Sequence, residues 1–402
     1  MTNMTSYAAA FASPQGGDTT GAVRALALGR LNSTRKRIVA ALAESGQEET
    51  AQALVSFLPG KGSAWRPETG LVLSAYRNQQ HGLAALQLAA GCAGMGGSGQ
   101  ITTRLETAQW LYLDGWLMAV NGHCGLRADG SSIVIDSDLG SATYHNSAAS
   151  AASNENRWSP SEAALGPWTA FASGGLSPRY VTVSGLHHSV EGFPWIAGTP
   201  PLAADAGRAS EGLQRGATDG PISSIHQGWG VIIKYTPVYG AWVASTAAGC
   251  LLIDPSGTHS AQSGSSFDHP GLIAIEPPEC PFFCGEILVH ECSHQQLLIY
   301  TMVAPLVTNG SREMYYSPIK RAHRSIDRVL TGAHAVGNMI VYYATLRHTM
   351  ELDQRSQERF DQHCKWFSED YRPALDRSES LTEAGRMLWT SLCETVDCAM
   401  EQ

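Results

Sequence analysis

A chain of 402 residues that is 43% hydrophobic and 16% charged is too apolar to stay disordered, and long enough for a sizeable core in two or three lobes. Its formal net charge is −9 and its basic runs are no longer than the cluster Arg35, Lys36 and Arg37, which excludes the electrostatic footprint of a nucleic-acid binder. No stretch reaches ~18 uninterrupted apolar residues and the amino terminus has no basic start before an apolar core, so a soluble protein with no membrane partner is expected. Nine scattered cysteines suit reduced thiols better than a disulfide framework, which points to the cytoplasm.

Residues 1 to about 18 read as small, polar and loose. AVRALALGRLNSTRKRIVAALAES then carries apolar residues at helical spacing, with a break expected near Asn32 and Ser33. LAALQLAAGCAG predicts another helix, followed by Gly94, Gly96, Gly97 and Gly99 in a flexible connector; the cluster lacks the Gly-Lys-Ser/Thr ending of a phosphate loop. From about residue 107 the pattern alternates around Asp-Gly pairs in QWLYLDGWLMAVNG and LRADGSSIVIDSD, which is hairpin chemistry. RYVTVSG, WGVIIKYTPVYGAWVAS, CLLIDPSGTH and the approach to residue 276 predict further strands, with long surface connections at 140–175 and 197–220. From Cys284 onward the chain reads as helical almost to its end. The expected fold is α+β: a helical N-terminal lobe over 1–105, a strand-rich region over 106–276 offering a peptide-binding surface, and a helical C-terminal lobe over 277–402.

EILVHECSHQQLLIY contains His290, Glu291 and His294. On a helix, positions i and i+4 lie one turn apart on one face, so two imidazoles can meet one ion while Glu291 borders them. At this composition the pentapeptide arises by chance about 0.02 times in roughly 400 positions, and the apolar residues around it predict a buried helix whose histidines need something to hold. A third ligand decides the chemistry. Glu313, 19 residues beyond His294, would complete a zinc peptidase site with Glu291 activating water, but Pro305, Asn309, Gly310 and the following Tyr-Tyr-Ser-Pro argue against a second helix there. A third histidine six residues on is absent, since position 300 is Tyr300. His334, on the apolar helical stripe of IDRVLTGAHAVGNMIVYYATL, and His323, in an expected loop, are the other candidates. Cys292 is expected to face away from the pair and pack.

PGLIAIEPPE leading into GEILVHECSH, then YYSPIKRAHRSIDRVLTGAHAV, then LTEAGRMLWTSL, resemble in order the C-terminal region of the HExxH-motif peptide-modification family. That family is associated with iron(II) and 2-oxoglutarate-dependent β-hydroxylation of ribosomally made precursor peptides. Ile319 stands where the family has tryptophan, and Ala322, His323, Arg324 and Ser325 where it has Asp-Pro-Arg-Pro. The resemblance implies His290, His294 and a third ligand, His334, on iron(II), with open positions for the 2-oxoacid and dioxygen. It also implies a cation for the distal carboxylate of 2-oxoglutarate: Arg324 first, then Arg321 or Lys320. Glu291 then binds the metal, orients water or supports the ligands. Substrate contact is expected from GLHHSVEGFPWIAGTP, with His187, His188, Phe193 and Trp195, of which His188 and Trp195 lead. Asp268 and His269 are lesser candidates. The alternatives are a zinc metallopeptidase and a non-catalytic metal- or peptide-binding protein.

Overall fold

The computed structural model describes residues 2–62, 64–113, 116–146, 158–160, 169–170, 181–182, 219–247, 249–252, 263–265, 270–276 and 278–401. In chain order the first elements are α1 (Thr2–Ala12), α2 (Thr20–Glu44), α3 (Glu48–Ser56), α4 (Pro67–Arg77) and α5 (His81–Gly94). Strands follow: β1 (Ser98–Leu113), β2 (Trp116–Asp129), β3 (Ser132–Ser137), β4 (Gly140–Asn146), β5 (Trp158–Pro160), β6 (Thr169–Ala170) and β7 (Val181–Thr182). Then come α6 (Asp219–Tyr235), α7 (Pro237–Thr246), β8 (Gly249–Leu252), β9 (Ser263–Ser265), β10 (Leu272–Ile275) and α8 (Pro281–Tyr300). The chain closes with β11 (Met314–Ser317), β12 (Ala322–Ser325), α9 (Ile326–Thr349), α10 (Gln354–Lys365), a π-helical turn over Trp366–Tyr371, α11 (Arg372–Arg377) and α12 (Glu383–Glu401). The chain is therefore α+β, and among the described residues no helix is long and apolar enough to cross a membrane.

Two compact units divide these elements. One comprises Ala27–Thr218 and Ala248–Glu276; the other comprises Met1–Leu26, Asp219–Ala247 and Pro277–Gln402. In the first, β1 to β5 form an antiparallel meander in sequential order with β6 beside β2, and β7, β8, β10 and β9 form a second sheet. The Asp129–Gly130 turn is set by Asp129, whose carboxylate accepts from the backbone N–H groups of Ser131 and Ser132, and by Gly130 at φ 86°. Buried Gln87 of α5 clamps the end of β1, its amide donating to the Tyr112 carbonyl at 2.7 Å and accepting from the Tyr112 N–H at 3.0 Å. The glycine cluster is a tight helix-to-strand turn and not the flexible connector expected. A Cβ on Gly97 would stand 2.2 Å from the Leu58 carbonyl oxygen, so close packing explains the glycine there.

The second unit holds the HExxH helix, and the chain departs from expectation in four places. Residues 2–12 are a helix and not a loose tail, with Ala8, Phe11 and Ala12 buried. Asn32 and Ser33 do not interrupt α2, because each costs a helix only a few tenths of a kcal/mol. WGVIIKYTPVYGAWVAS falls in α6 and α7 where strands were expected. Buried Ile225, Gly228, Val231 and Ile232 recur at helical spacing, and Pro237 opens α7 where its missing N–H costs nothing. Finally, a hairpin, β11–β12, interrupts the helical C-terminal region, so His323 lies on a strand and not in a loop.

The HExxH helix α8 forms because Pro281 sits at its first turn and apolar residues follow without a breaker. Phe283, Ile287, Leu288, Val289, Leu297, Leu298 and Ile299 bury it on nearly every side, as a helix apolar all round requires. α6 and α9 pack close against it at Gly285. A Cβ there would lie 2.3 Å from the Tyr342 hydroxyl of α9 and 3.3 Å from the Gly228 carbonyl of α6.

Candidate metal centre

His290 and His294 stand one turn apart on α8 with their Nε2 atoms 3.1 Å apart and their rings nearly perpendicular at 81°. Two imidazoles bound at ~2.1 Å that keep this separation subtend ~95° at an ion, close to the right angle of an octahedral site; a tetrahedral site would spread them to ~3.4 Å. Without an ion the same contact is one N–H···N hydrogen bond, and binding an ion through both Nε2 atoms would need the donor ring's proton to move to its Nδ1. Burial lowers the His290 pKa to about 4 even though the nearby Glu286 carboxylate opposes the shift. Burial, reinforced by His290, lowers His294 to about 3. Both rings are thus neutral donors well below neutral pH. The His290 side chain keeps 21% exposure, while Nδ1 of His294 is buried without a hydrogen-bond partner among the described residues. That nitrogen lacks the support a ligating histidine usually receives.

One turn before His290 on the same helix face lies Glu286, which the pentapeptide motif does not include. Its side chain is 2% exposed. The Arg359 guanidinium donates to both of its carboxylate oxygens through Nε and Nη2, the Tyr343 hydroxyl donates at 2.5 Å and His363 Nε2 lies at 3.0 Å. Burial opposes ionisation of this carboxyl, but the charges and hydrogen bonds of His363 and Arg359 overcome it and hold Glu286 well below the usual carboxylate range. Arg359 also covers the Phe283 ring at 3.9 Å. The cluster fixes α8 to α9 and α10 immediately beside the histidine pair. Its sequence signal is the spacing Glu286, His290, His294: three groups at successive i+4 positions.

The expected third ligands are not brought to the pair. His334, fully buried on α9, places Nε2 at 2.8 Å from the Phe11 carbonyl, and burial lowers its pKa to about 4. A charge on His334 would be felt at His294; its Nε2 is held by the end of α1, while its Nδ1 is buried without a hydrogen-bond partner among the described residues. Glu313 accepts from the Ser378 hydroxyl at 2.6 Å and the Ser380 hydroxyl at 2.8 Å, which hold it at the base of the hairpin. His323 is exposed on β12 with its ring 6.0 Å from Tyr316. Buried Glu291 has Oε1 3.8 Å from His290 Nε2. Among the described residues no three His, Cys, Asp or Glu side chains converge as a ready metal cage, so the fit is that of two donors.

Of the expected cofactor cations, Lys320 lies at the hairpin tip, exposed, and its charge is felt at both His290 and His294. Arg321 beside it adopts the left-handed backbone at φ 49° and is exposed. Arg324, the first choice from sequence, is half-buried opposite Tyr315 in the hairpin. Cys292 packs as expected: it is fully buried, with its thiol toward the Val243 carbonyl at 3.9 Å and its pKa pushed up to about 12 by burial. His187, His188, Phe193, Trp195, Asp268 and His269 lie outside the described residues. No protein-family profile matches the chain, and no curated protein is significantly similar to it.

Proposed function

We propose that the chain is an iron(II)- and 2-oxoglutarate-dependent hydroxylase acting on a β-carbon of a ribosomally made peptide, in the cytoplasm. The observation that carries this reading is the His290 and His294 pair, two neutral imidazoles one turn apart on α8 with Nε2 atoms 3.1 Å apart, close enough to meet one ion. The resemblance of the segments around Glu286–His294, Tyr315–Val336 and Leu381–Leu392 to peptide-modifying proteins supplies the substrate class.

His290 and His294 would hold the metal as neutral donors. Glu291, 3.8 Å from His290, offers the third donor of a two-histidine, one-carboxylate set; His334 is the alternative, through an Nδ1 that is buried without a hydrogen-bond partner among the described residues. Lys320 offers the cation for a carboxylate of the oxo acid, with Arg321 and Arg324 behind it. When bound, iron and the oxo acid would supply the chemistry of dioxygen activation, with 2-oxoglutarate as the two-electron reductant that becomes succinate and carbon dioxide. The protein's part is to orient the donors, and the Glu286 cluster does so by pinning α8. The zinc-peptidase alternative calls on Glu313, and its engagement by Ser378 and Ser380 weighs against that use.

The test is anaerobic addition of iron(II) and 2-oxoglutarate, followed in the visible region. A weak charge-transfer band that is absent from His290→Ala and His294→Ala is expected. No band, together with tight stoichiometric zinc and cleavage of a generic peptide, would sink the reading.

A further inference from the structure

The β11–β12 hairpin pairs Met314 with Ser325, Tyr315 with Arg324, Tyr316 with His323 and Ser317 with Ala322. It is a two-stranded sheet, and among the described residues neither strand has a second neighbour. Directly opposed residues share a face, so Met314, Tyr316, His323 and Ser325 line one side and Tyr315, Ser317, Ala322 and Arg324 the other. The first side is open: Met314 is 54% exposed and Tyr316 is 42% exposed. On the second side Ser317 is buried, its hydroxyl 3.5 Å from that of Tyr371. A strand without a second neighbour, beside exposed apolar side chains, can template an added strand.

The charge of the hairpin indicates what it would take. Residues 312–328 carry five basic side chains, Arg312, Lys320, Arg321, Arg324 and Arg328, against two acidic ones, Glu313 and Asp327, in a chain whose net charge is −9. Glu313 is already engaged by Ser378 and Ser380, and Arg312, Lys320, Arg321 and Arg328 are exposed. The hairpin is therefore a basic, partly apolar edge whose tip reaches the histidine pair electrostatically through Lys320.

We propose that the β11–β12 hairpin binds an acidic, extended peptide segment as an added strand, with apolar residues on Met314 and Tyr316 and carboxylates against the basic rim. The inference rests on the reading of the histidine pair as a peptide-modifying centre, to which the hairpin tip would deliver the chain. Backbone hydrogen bonds would give affinity, and alternate side chains with the basic rim would give selectivity.

The probe is a fluorescent ten-residue peptide of alternating valine and glutamate, with binding to the full chain read by anisotropy at low and moderate salt. Comparison ligands are the valine–lysine counterpart, the valine–glutamate peptide N-methylated at alternate residues, and a ten-nucleotide single strand of DNA. The valine–glutamate peptide should bind, and Arg312→Glu/Arg328→Glu, N-methylation and raised salt should each weaken it by about tenfold. Equal binding of the lysine or N-methylated peptide, no effect of the double charge reversal, or preference for the oligonucleotide would overturn the proposal. Metal titration of the same sample and of His290→Ala/His294→Ala separates the two readings. If metal binding fails while peptide binding survives, the centre falls and the hairpin stands; the reverse result removes the hairpin alone.

Discussion

Replacing Arg359 by methionine removes the only guanidinium described on the buried Glu286 carboxylate and leaves Tyr343 and His363 as its partners. Glu286 is 2% exposed and Arg359 31%, so the carboxylate cannot recover the lost charge from water while the arginine already reaches it. Breaking such a pair from one side costs about 3–5 kcal/mol, and loss of the cation over Phe283 adds about 0.5–1 kcal/mol, of which the methionine stem restores part by packing. We expect a loss of about 4 kcal/mol. In the double variant Glu286→Gln/Arg359→Met no charge is left stranded, and the cost should fall short of the sum of the singles by about 2 kcal/mol. Urea unfolding followed by far-ultraviolet circular dichroism and tryptophan fluorescence reads both. A single-variant cost below about 1 kcal/mol, as for a surface ion pair, or additive costs in the double variant would refute the account of this cluster.

Glu313→Gln should cost about 1–2 kcal/mol by weakening the Ser378 and Ser380 hydrogen bonds and leave metal retention intact; loss of stoichiometric metal would restore the peptidase arrangement. His334 has a folded-state pKa of about 4 against an ordinary 6.5, so the unfolded chain takes up its proton first as the pH falls. Stability from this group is unchanged above pH ~6.5 and declines by about 3 kcal/mol between ~6.5 and ~4, a slope that His334→Gln should flatten in a pH series of urea midpoints. Gly285→Ala would press a methyl group on the Tyr342 hydroxyl, which is held by the Phe282 carbonyl, and should lower stability by about 2 kcal/mol in the same denaturation assay.

The α8 helix was legible because its apolar flanks and the i, i+4 histidines agree with one another, and the antiparallel pairing of β1 with β2 and of β2 with β3 was legible from the alternating pattern and the Asp-Gly pairs. The run over Trp229–Ser245 was not: β-branched and aromatic residues there are buried at helical spacing, and short-range pattern does not separate a buried strand from a buried helix. Residues 2–12 escaped for a related reason. A small, weakly amphipathic segment becomes a helix through Phe11, its ring 5.5 Å from that of Tyr300, and through its carbonyls on His334 and Asn338, contacts made with residues more than 280 positions away. The same contacts hold one ring nitrogen of His334 at the end of α1. Glu286 was missed because the motif draws attention to the residue after His290 rather than the one a turn before it.

Cobalt(II) titration tests the central claim most directly, because its visible spectrum reports coordination number. We predict one cobalt per chain with a weak, six-coordinate spectrum, lost in His290→Ala and His294→Ala, as a two-histidine site with open positions for an oxo acid and dioxygen would give. An intense tetrahedral spectrum, or cobalt uptake indifferent to both histidines, would contradict it.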